Sequence, residues 1–469
     1  MTVNVDALAG RHVTVLGFGR REGVSLVKFL AGTGAHILVS DRLPADQMQE
    51  SLVAIHGLPV ILNLGGHDCA RILDWSDVIC ISPVIPRTLP LLVEAGRQGI
   101  TLSSEVELFF ERCPAPIVGI TGSAGKTTTT TMVGQILERS GLPVVVGGNI
   151  GRPLLGDLPK LTADHTVVME LSSFQLQPMR CSPHGAVVTN LTANHLDRHG
   201  SLAEYGEAKR QIVAHQRAGD WAVLNAADPA VRAFKAETPA SVAWFGIDAP
   251  SAEGDAAYVA GADLTLRHQG RSRALAPVAA LRLPGRHNQE NALAASLAAS
   301  LAGATDMAIT EVLQAFSGVE HRLQLVGAVG GARFYDDSIA TAPERLLAAL
   351  HSFTEPLVVI AGGRDKHLPW DDAAETLCRQ AHAVILTGEA RGLIRAALDA
   401  AGDRVGMLPM VIEAPAFDDA VRTAITVARP NDAVLLSPGC TSYDQFLDFA
   451  ERGRRFTALV TAAPEFERC

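Results

Sequence analysis

One stretch constrains this chain more than any other. Residues 117–120 form a short apolar run, and Gly119-Ile120-Thr121-Gly122-Ser123-Ala124-Gly125-Lys126-Thr127 carries that run toward a helix-forming segment. An apolar strand turning through glycines into a helix that begins Lys-Thr-Thr is the layout of a phosphate-binding loop. Successive backbone N–H groups and the helix N-terminus surround anionic oxygens, Lys126 reaches terminal phosphates, and the Thr127 hydroxyl is placed to ligate Mg²⁺. The spacing departs from the common GxxxxGK[ST] pattern, because Ile120 stands where the first glycine belongs. The bland alternative is a Gly-rich turn that binds nothing, and Gly-Lys-Thr-Thr in this setting argues against it. A loop of this type needs a buried strand behind it and a helix ahead, so an α/β fold is expected.

The rest of the chain repeats the same alternation. Apolar runs at His12–Leu16, His36–Val39, Val60–Leu62 and Val78–Ile81 precede the loop. Val144–Val146, Thr166–Leu171, Ala186–Asn190 and Trp221–Asn225 follow it, then an elaborated patch at Ala249–Ala276 that reads as β-rich. The last third holds Leu357–Ala361, Ala383–Thr387, Met410–Ile412 and Ala433–Ser437. Buried apolar strands separated by helices predict parallel sheets. At about 150 residues per domain, 469 residues suggest roughly three domains. Joints fall at Cys113-Pro114-Ala115-Pro116 and at Gly318-Val319-Glu320-His321-Arg322, giving blocks 1–112, 113–317 and 318–469. The first block opens with Gly17-Phe18-Gly19 and ends its second run at Asp41, an outline of a dinucleotide site. Glu22 occupies the place of the third fingerprint glycine, which disfavours NAD and a Rossmann oxidoreductase.

Composition excludes several classes. The formal charge is −10 and no Lys/Arg-rich block occurs, so nucleic acid is not an expected partner. Seven scattered cysteines without CxxC spacing suggest reduced thiols in a cytoplasmic protein. No signal-peptide pattern is visible, and Asn291–Ala304, the most Ala/Leu-rich stretch, is too short to span a bilayer. Its leucines at 293, 297 and 301 mark a helix laid on a core.

Two more clusters sit at strand ends. Glu170 closes an apolar run and is followed by Ser172-Ser173-Phe174-Gln175. A carboxylate there is costly to bury unless it is paired or holds a cation, and a phosphate loop nearby favours Mg²⁺. Thr189-Asn190-Leu191-Thr192-Ala193-Asn194-His195-Leu196-Asp197-Arg198-His199 forms the other cluster, and Lys209 sits on the helix after Tyr205. Judged singly, His195 and Lys209 read as a structural histidine and a solvated lysine.

Taken together, GITGSAGKTTTT, GGNIG (147–151), ELSSFQL (170–176), NHLDRHG (194–200), LPGRHNQENALAA (283–295), EHR (320–322), DDSIAT (336–341) and SPGCTSYDQF (437–446) resemble the Mur ligases, most closely their glutamate-adding members. The motifs run in order through essentially the whole chain. The resemblance implies a Rossmann-like N-terminal domain that binds uridine diphosphate, a central P-loop ATPase-like domain and a Rossmann-like, glutamate-binding C-terminal domain. It implies an ATP-dependent amide ligase of peptidoglycan precursor synthesis, working through an acyl phosphate on UDP-N-acetylmuramoyl-L-alanine. ATP would contact Gly122, Ser123, Ala124, Gly125, Lys126, Thr127, Thr128, Asn291, Arg322 and Asp337. One Mg²⁺ would rest on Thr127 and Glu170 and a second on His195, with Lys209 carbamylated. Arg322 lies just past the second joint, so domain closure would carry its charge onto the γ-phosphate. Asn149 would contact the UDP-sugar, and Thr341, Lys366, Ser442 and Phe449 the glutamate. A monomer without membrane partners is expected.

One position departs from the pattern. Many members carry Asp-Ser-Lys-Ala-Thr-Asn where this chain has Asp337-Ser338-Ile339-Ala340-Thr341-Ala342. Losing that lysine leaves L-glutamate open beside the expected D-glutamate, since a subgroup with a similar pattern adds the L isomer. A folylpolyglutamate-synthase-like ligase is the same-fold alternative, opposed by the block ahead of the P-loop. A plain P-loop kinase is another, and it would not need Lys209 or Arg322.

Overall fold

A computed structural model describes residues 8–19, 21–150, 152–192, 199–250, 254–283, 285–366 and 368–468. The chain divides into two compact units between Phe316 and Ser317. The first unit holds two sheets and the second holds one.

The first sheet comprises β1 (His12–Leu16), β2 (His36–Asp41), β3 (Val60–Leu64), β4 (Val78–Ile81) and β5 (Thr101–Ser103) in the order β3-β2-β1-β4-β5. Every pairing is parallel. The order reverses between β1 and β4, which opens a crevice at their carboxyl ends where the Gly17–Gly19 turn lies. Asp41, at the end of β2, accepts from the backbone N–H of Phe18 at 2.7 Å and holds that turn.

The central sheet contains β6 (Ile117–Thr121), β7 (Val144–Gly148), β8 (Thr166–Glu170), β9 (Gly185–Val188), β10 (Trp221–Asn225), β11 (Ser241–Phe245), β12 (Ala256–Ala260), β13 (Asp263–His268) and β14 (Arg271–Pro277). Their order is β14-β13-β12-β11-β10-β9-β6-β8-β7. The chain leaves β6 toward β7 on one side and later fills β9 on the other, so β6 marks the switch point. Strands β12 to β14 pair antiparallel, which makes the sheet mixed rather than wholly parallel. Tight turns at Gly261 and Gly270 leave no length for crossover helices there. The helix Arg286–Leu301 is buried from Asn291 to Ser300 and packs against the helix Lys126–Arg139. Its alanines keep the approach close.

The two sheets of this unit share a core that includes Phe18, Leu26, Phe109, Leu154, Leu155, Leu171 and Val188. Helices Glu22–Thr33 and Glu105–Arg112 pack on the 3₁₀ turn Leu155–Lys160 along this seam. Glu105 is 6% exposed there, and its Oε1 has no hydrogen-bond partner. Burial, and then the charge of Glu22, pushes its carboxyl up to about 8, although the backbone of Leu155 hydrogen-bonds it. The unfolded chain therefore ionises near 4.5 while the folded chain keeps the proton. Stability should be full below that value and fall as pH rises toward about 8. Glu105→Gln is expected to flatten the curve and raise stability at pH 8 by about 3 kcal/mol. Thermal melts of both proteins between pH 5 and pH 8.5 check this, and parallel curves would reject it.

The second unit has β15 (Gln324–Val329), β16 (Ala332–Asp336), β17 (Leu357–Gly362), β18 (Ala381–Thr387), β19 (Met410–Glu413), β20 (Ala433–Gly439) and β21 (Phe466–Glu467) in the order β19-β18-β17-β20-β16-β15-β21. Strands β19 to β16 are parallel, while β15 and β21 are antiparallel. Apolar cores cover both faces. Among the described residues no helix is long and apolar enough to cross a membrane.

Candidate active site

The glycines of the phosphate loop are required by their surroundings. Gly122 has φ +149° and a Cβ on it would fall 1.8 Å from Thr189 Oγ1; at Gly125, φ +81°, it would fall 2.2 Å from Asn291 Oδ1. The loop is tied to the segment after β9: Ser123 N–H donates to the Asn190 carbonyl at 3.0 Å and Ala124 N–H to Asn190 Oδ1 at 2.9 Å. Thr189 Oγ1 donates to the Ala124 carbonyl at 2.6 Å. Lys126 Nζ folds back on the carbonyls of Gly122 and Ser123 at 3.0 and 3.2 Å.

Register places Ile120 of β6 opposite Glu170 of β8, which brings the carboxylate beside the start of the loop helix. Glu170 is 2% exposed. Thr127 Oγ1 donates to its Oε2 at 2.8 Å, and Asn149 Nδ2 donates to its Oε1 at 2.7 Å. Hydroxyl and carboxylate oxygens of this kind suit Mg²⁺. Among the described residues no three His, Cys, Asp or Glu gather to hold a metal.

Lys209 lies on the helix Leu202–Ala214, whose buried face carries Tyr205, Ala208, Lys209 and Ile212. Lys209 is 1% exposed, and its amine donates to Thr121 Oγ1 at 3.1 Å; that hydroxyl donates to the Leu171 carbonyl at 2.8 Å. It also sits 4.7 Å from the centre of the Tyr205 ring. Burial, helped by the charge of Lys126 and opposed by Glu170, pulls Lys209 down to about 6. At neutral pH it is mostly a free amine, which is a nucleophile.

In the second unit three segments converge. Asp337 accepts from the Ser437 hydroxyl at 2.8 Å and from the Leu323 N–H at 3.2 Å. Burial lifts its carboxyl to about 7, while Ser437, the Leu323 N–H and Arg322 pull it down. Lys366 Nζ donates to Thr341 Oγ1 at 3.1 Å. Arg452 is buried and donates through Nε to Ser338 Oγ at 3.0 Å and through Nη2 to the carbonyls of Ser338 and Cys440 at 2.9 and 3.2 Å. Ser442 is buried in the loop after β20, and Phe449 begins the helix Phe449–Thr461.

The match to known proteins covers nearly the whole chain. The Mur ligase MurD-like N-terminal domain matches residues 11–104, the Mur ligase middle domain 120–299 and the Mur ligase glutamate ligase domain 321–440. The chain is 42% identical to the UDP-N-acetylmuramoylalanine–D-glutamate ligase of Symbiobacterium thermophilum over 96% of this chain and 98% of that one. It is 37% identical to the enzyme of the same name from Pelotomaculum thermopropionicum over 96% and 97%. The chain belongs to the Mur ligase family. Its fold resembles that of the UDP-N-acetylmuramate-alanine ligase of Thermotoga maritima, with a TM-score of 0.53 at 18% identity over 96% of this chain and 98% of that one.

Of the residues expected from sequence, this Mur ligase brings Gly122 to Thr128, Asn149, Glu170, Lys209 and Asn291 together around the phosphate loop of the first unit. In the second unit it joins Arg322 with Asp337, and Thr341 with Lys366. Ser442 and Phe449 flank the loop after β20, and the Phe449 carbonyl accepts from Ser338 Oγ at 2.7 Å. His195 lies outside the described residues. Sequence reasoning missed Thr121 as the acceptor for Lys209, and it missed Arg452. The Arg452 signal was present: Phe449, Arg452 and Phe456 follow an i, i+3, i+7 face, so the arginine had to point inward.

Proposed function

We propose that this ligase joins D-glutamate to the alanyl carboxylate of UDP-N-acetylmuramoyl-L-alanine in peptidoglycan precursor synthesis. The observation that carries this reading is the Thr127–Glu170–Lys209 group around the phosphate loop, in a chain whose relatives bear that enzyme's name along their full length. A carboxylate cannot expel oxide. Transfer of the γ-phosphoryl group of ATP to its oxygen releases ADP and makes phosphate the leaving group. The amine of glutamate then attacks the carbonyl carbon, and collapse of the tetrahedral adduct expels phosphate and leaves the amide.

The chain's own residues bind and orient. Lys126 swings from the Gly122 and Ser123 carbonyls onto the terminal phosphates, where its charge offsets the negative charge that develops. Asn149 hydrogen-bonds the UDP-sugar, and Asn291, Arg322 and Asp337 hold the nucleotide. Thr341, Lys366, Ser442 and Phe449 hold glutamate, with Lys366 pairing a carboxylate. Mg²⁺ on Thr127 and Glu170, and a second ion on His195, would supply Lewis-acid neutralisation of phosphate charge. The Lys209 amine adds to CO₂ and loses a proton, which gives a carbamate whose oxygens attract Mg²⁺ where an ammonium would repel it. We assign residues 1–112, 113–317 and 318–469 to the UDP-, ATP- and glutamate-binding domains. The enzyme is read as a cytoplasmic monomer.

The names of the relatives favour D-glutamate over L-glutamate even though Ile339 replaces the common lysine. The test supplies ATP, UDP-N-acetylmuramoyl-L-alanine and either enantiomer, and follows phosphate release and product mass. Amide formation with D-glutamate is expected. Activity with L-glutamate alone overturns the isomer, and no amide with either overturns the reading.

A further inference from the structure

A run of aromatic rings links Lys209 to the turn after Glu170, and His199 is its middle member. His199 is 3% exposed, and its Nε2 lies 2.9 Å from Ser173 Oγ in a hydrogen bond. Its imidazole stacks on Phe174, with centroids 4.7 Å apart and planes 9° apart. The imidazole also meets Tyr205 in an edge contact, with centroids 5.3 Å apart. Tyr205 in turn lies under the Lys209 amine at 4.7 Å and hydrogen-bonds Ser123 of the phosphate loop. Ser173 and Phe174 open the short helix after Glu170, and Ser172 caps it with a reciprocal bond to Gln175. The contacts therefore run from the Glu170 turn through Phe174, His199 and Tyr205 to Lys209.

We propose that His199 is a positioning residue that sets the distance between Lys209 and the Glu170 turn. This rests on the carbamate reading of Lys209 above. A buried ring stacked on Phe174, hydrogen-bonded to Ser173 and in edge contact with Tyr205 has few ways to move, so the tyrosine beneath Lys209 is held in turn. On that reading, a carbamate on Lys209 would reach a metal on Glu170 only while this spacing is kept. An alanine at 199 removes the ring, leaves the Ser173 hydroxyl without this partner and frees Tyr205 to shift. Residues that orient a metal's ligands without touching the metal are worth about 10–100-fold in metal affinity. His199→Ala should therefore raise the Mg²⁺ concentration for half-maximal activity by at least about tenfold. His199→Phe keeps an aromatic ring in place, gives up the bond to Ser173, and should stay near the wild-type value.

The experiment equilibrates the full-length wild type, His199→Ala, His199→Phe and Lys209→Ala with ¹³C-bicarbonate and records the carbamate signal by NMR. Ligase activity is titrated in parallel against Mg²⁺ and bicarbonate. The expected result is a signal in the wild type and His199→Phe, a weakened signal and raised Mg²⁺ and bicarbonate requirements in His199→Ala, and none in Lys209→Ala. If the wild type shows the signal and His199→Ala matches it in all three readouts, the spacer role is overturned and the carbamate stands. If His199→Ala does not fold, a His199→Phe enzyme with the raised requirements overturns the spacer role equally. A wild type that takes up no ¹³C overturns the carbamate reading and this inference with it.

Discussion

Lys209→Ala is expected to lower kcat by about a thousandfold and to regain a substantial part of it in millimolar formate or acetate. Loss of one preorganised charge at a transition state typically costs a hundred- to a thousandfold, and on the proposed reading the variant lacks the carbamate anion beside the metal. The fold should survive the change. Thr121 keeps its bond to the Leu171 carbonyl, and the lost side chain is an amine that burial already keeps neutral. A small carboxylate carries the same two oxygens as a carbamate and fits the space that truncation leaves. Rates of phosphate release and amide formation, measured with and without added carboxylate, decide the point. Near-normal turnover in the variant, without any addition, would sink the role assigned to Lys209.

The fold was largely readable where burial is continuous. Val78–Ile81 is apolar throughout and Trp221–Asn225 is apolar up to its last residue; both are buried on both faces, and the structure gives them the bounds that the runs suggest. The antiparallel strands β15, β16 and β21 were not foreseen. Gly327 interrupts the first, Gly330 and Gly331 make the turn to the second, and β21 is two residues long. Such strands owe their existence to a neighbour across the sheet, and periodicity along the chain does not carry that information. The same limit applies to the site. Lys126 and Glu170 announce themselves by motif, whereas the burial of Lys209 depends on Tyr205, Thr121 and Leu171, which are brought together only by the order of β8, β6 and β9. A lysine on a helix looks solvated until the sheet behind it is known.

Lys126→Ala should abolish measurable ATP turnover while leaving the UDP-sugar substrate bound. On the proposed reading the lysine reaches the terminal phosphates, and the carbonyls of Gly122 and Ser123 that it now bonds are backbone groups that water can satisfy once it is gone. The loop itself is held by Asn190 and Thr189, so its shape should persist and the loss should be electrostatic. Removing a full charge from a developing phosphoryl transition state is worth about 4 kcal/mol or more, which is roughly a thousandfold in rate. Lys126→Arg should recover little, because a planar fork cannot place a compact charge inside a loop closed by Gly122 and Gly125. The first sheet, with its own crevice beside Gly17–Gly19, does not depend on this lysine. Calorimetric binding of the UDP-sugar to the variant should match the wild type within about twofold, because Asn149 keeps its bond to Glu170 and the first sheet is untouched. Retained turnover rejects the phosphate-loop assignment, and loss of both activities points instead to a misfolded first unit.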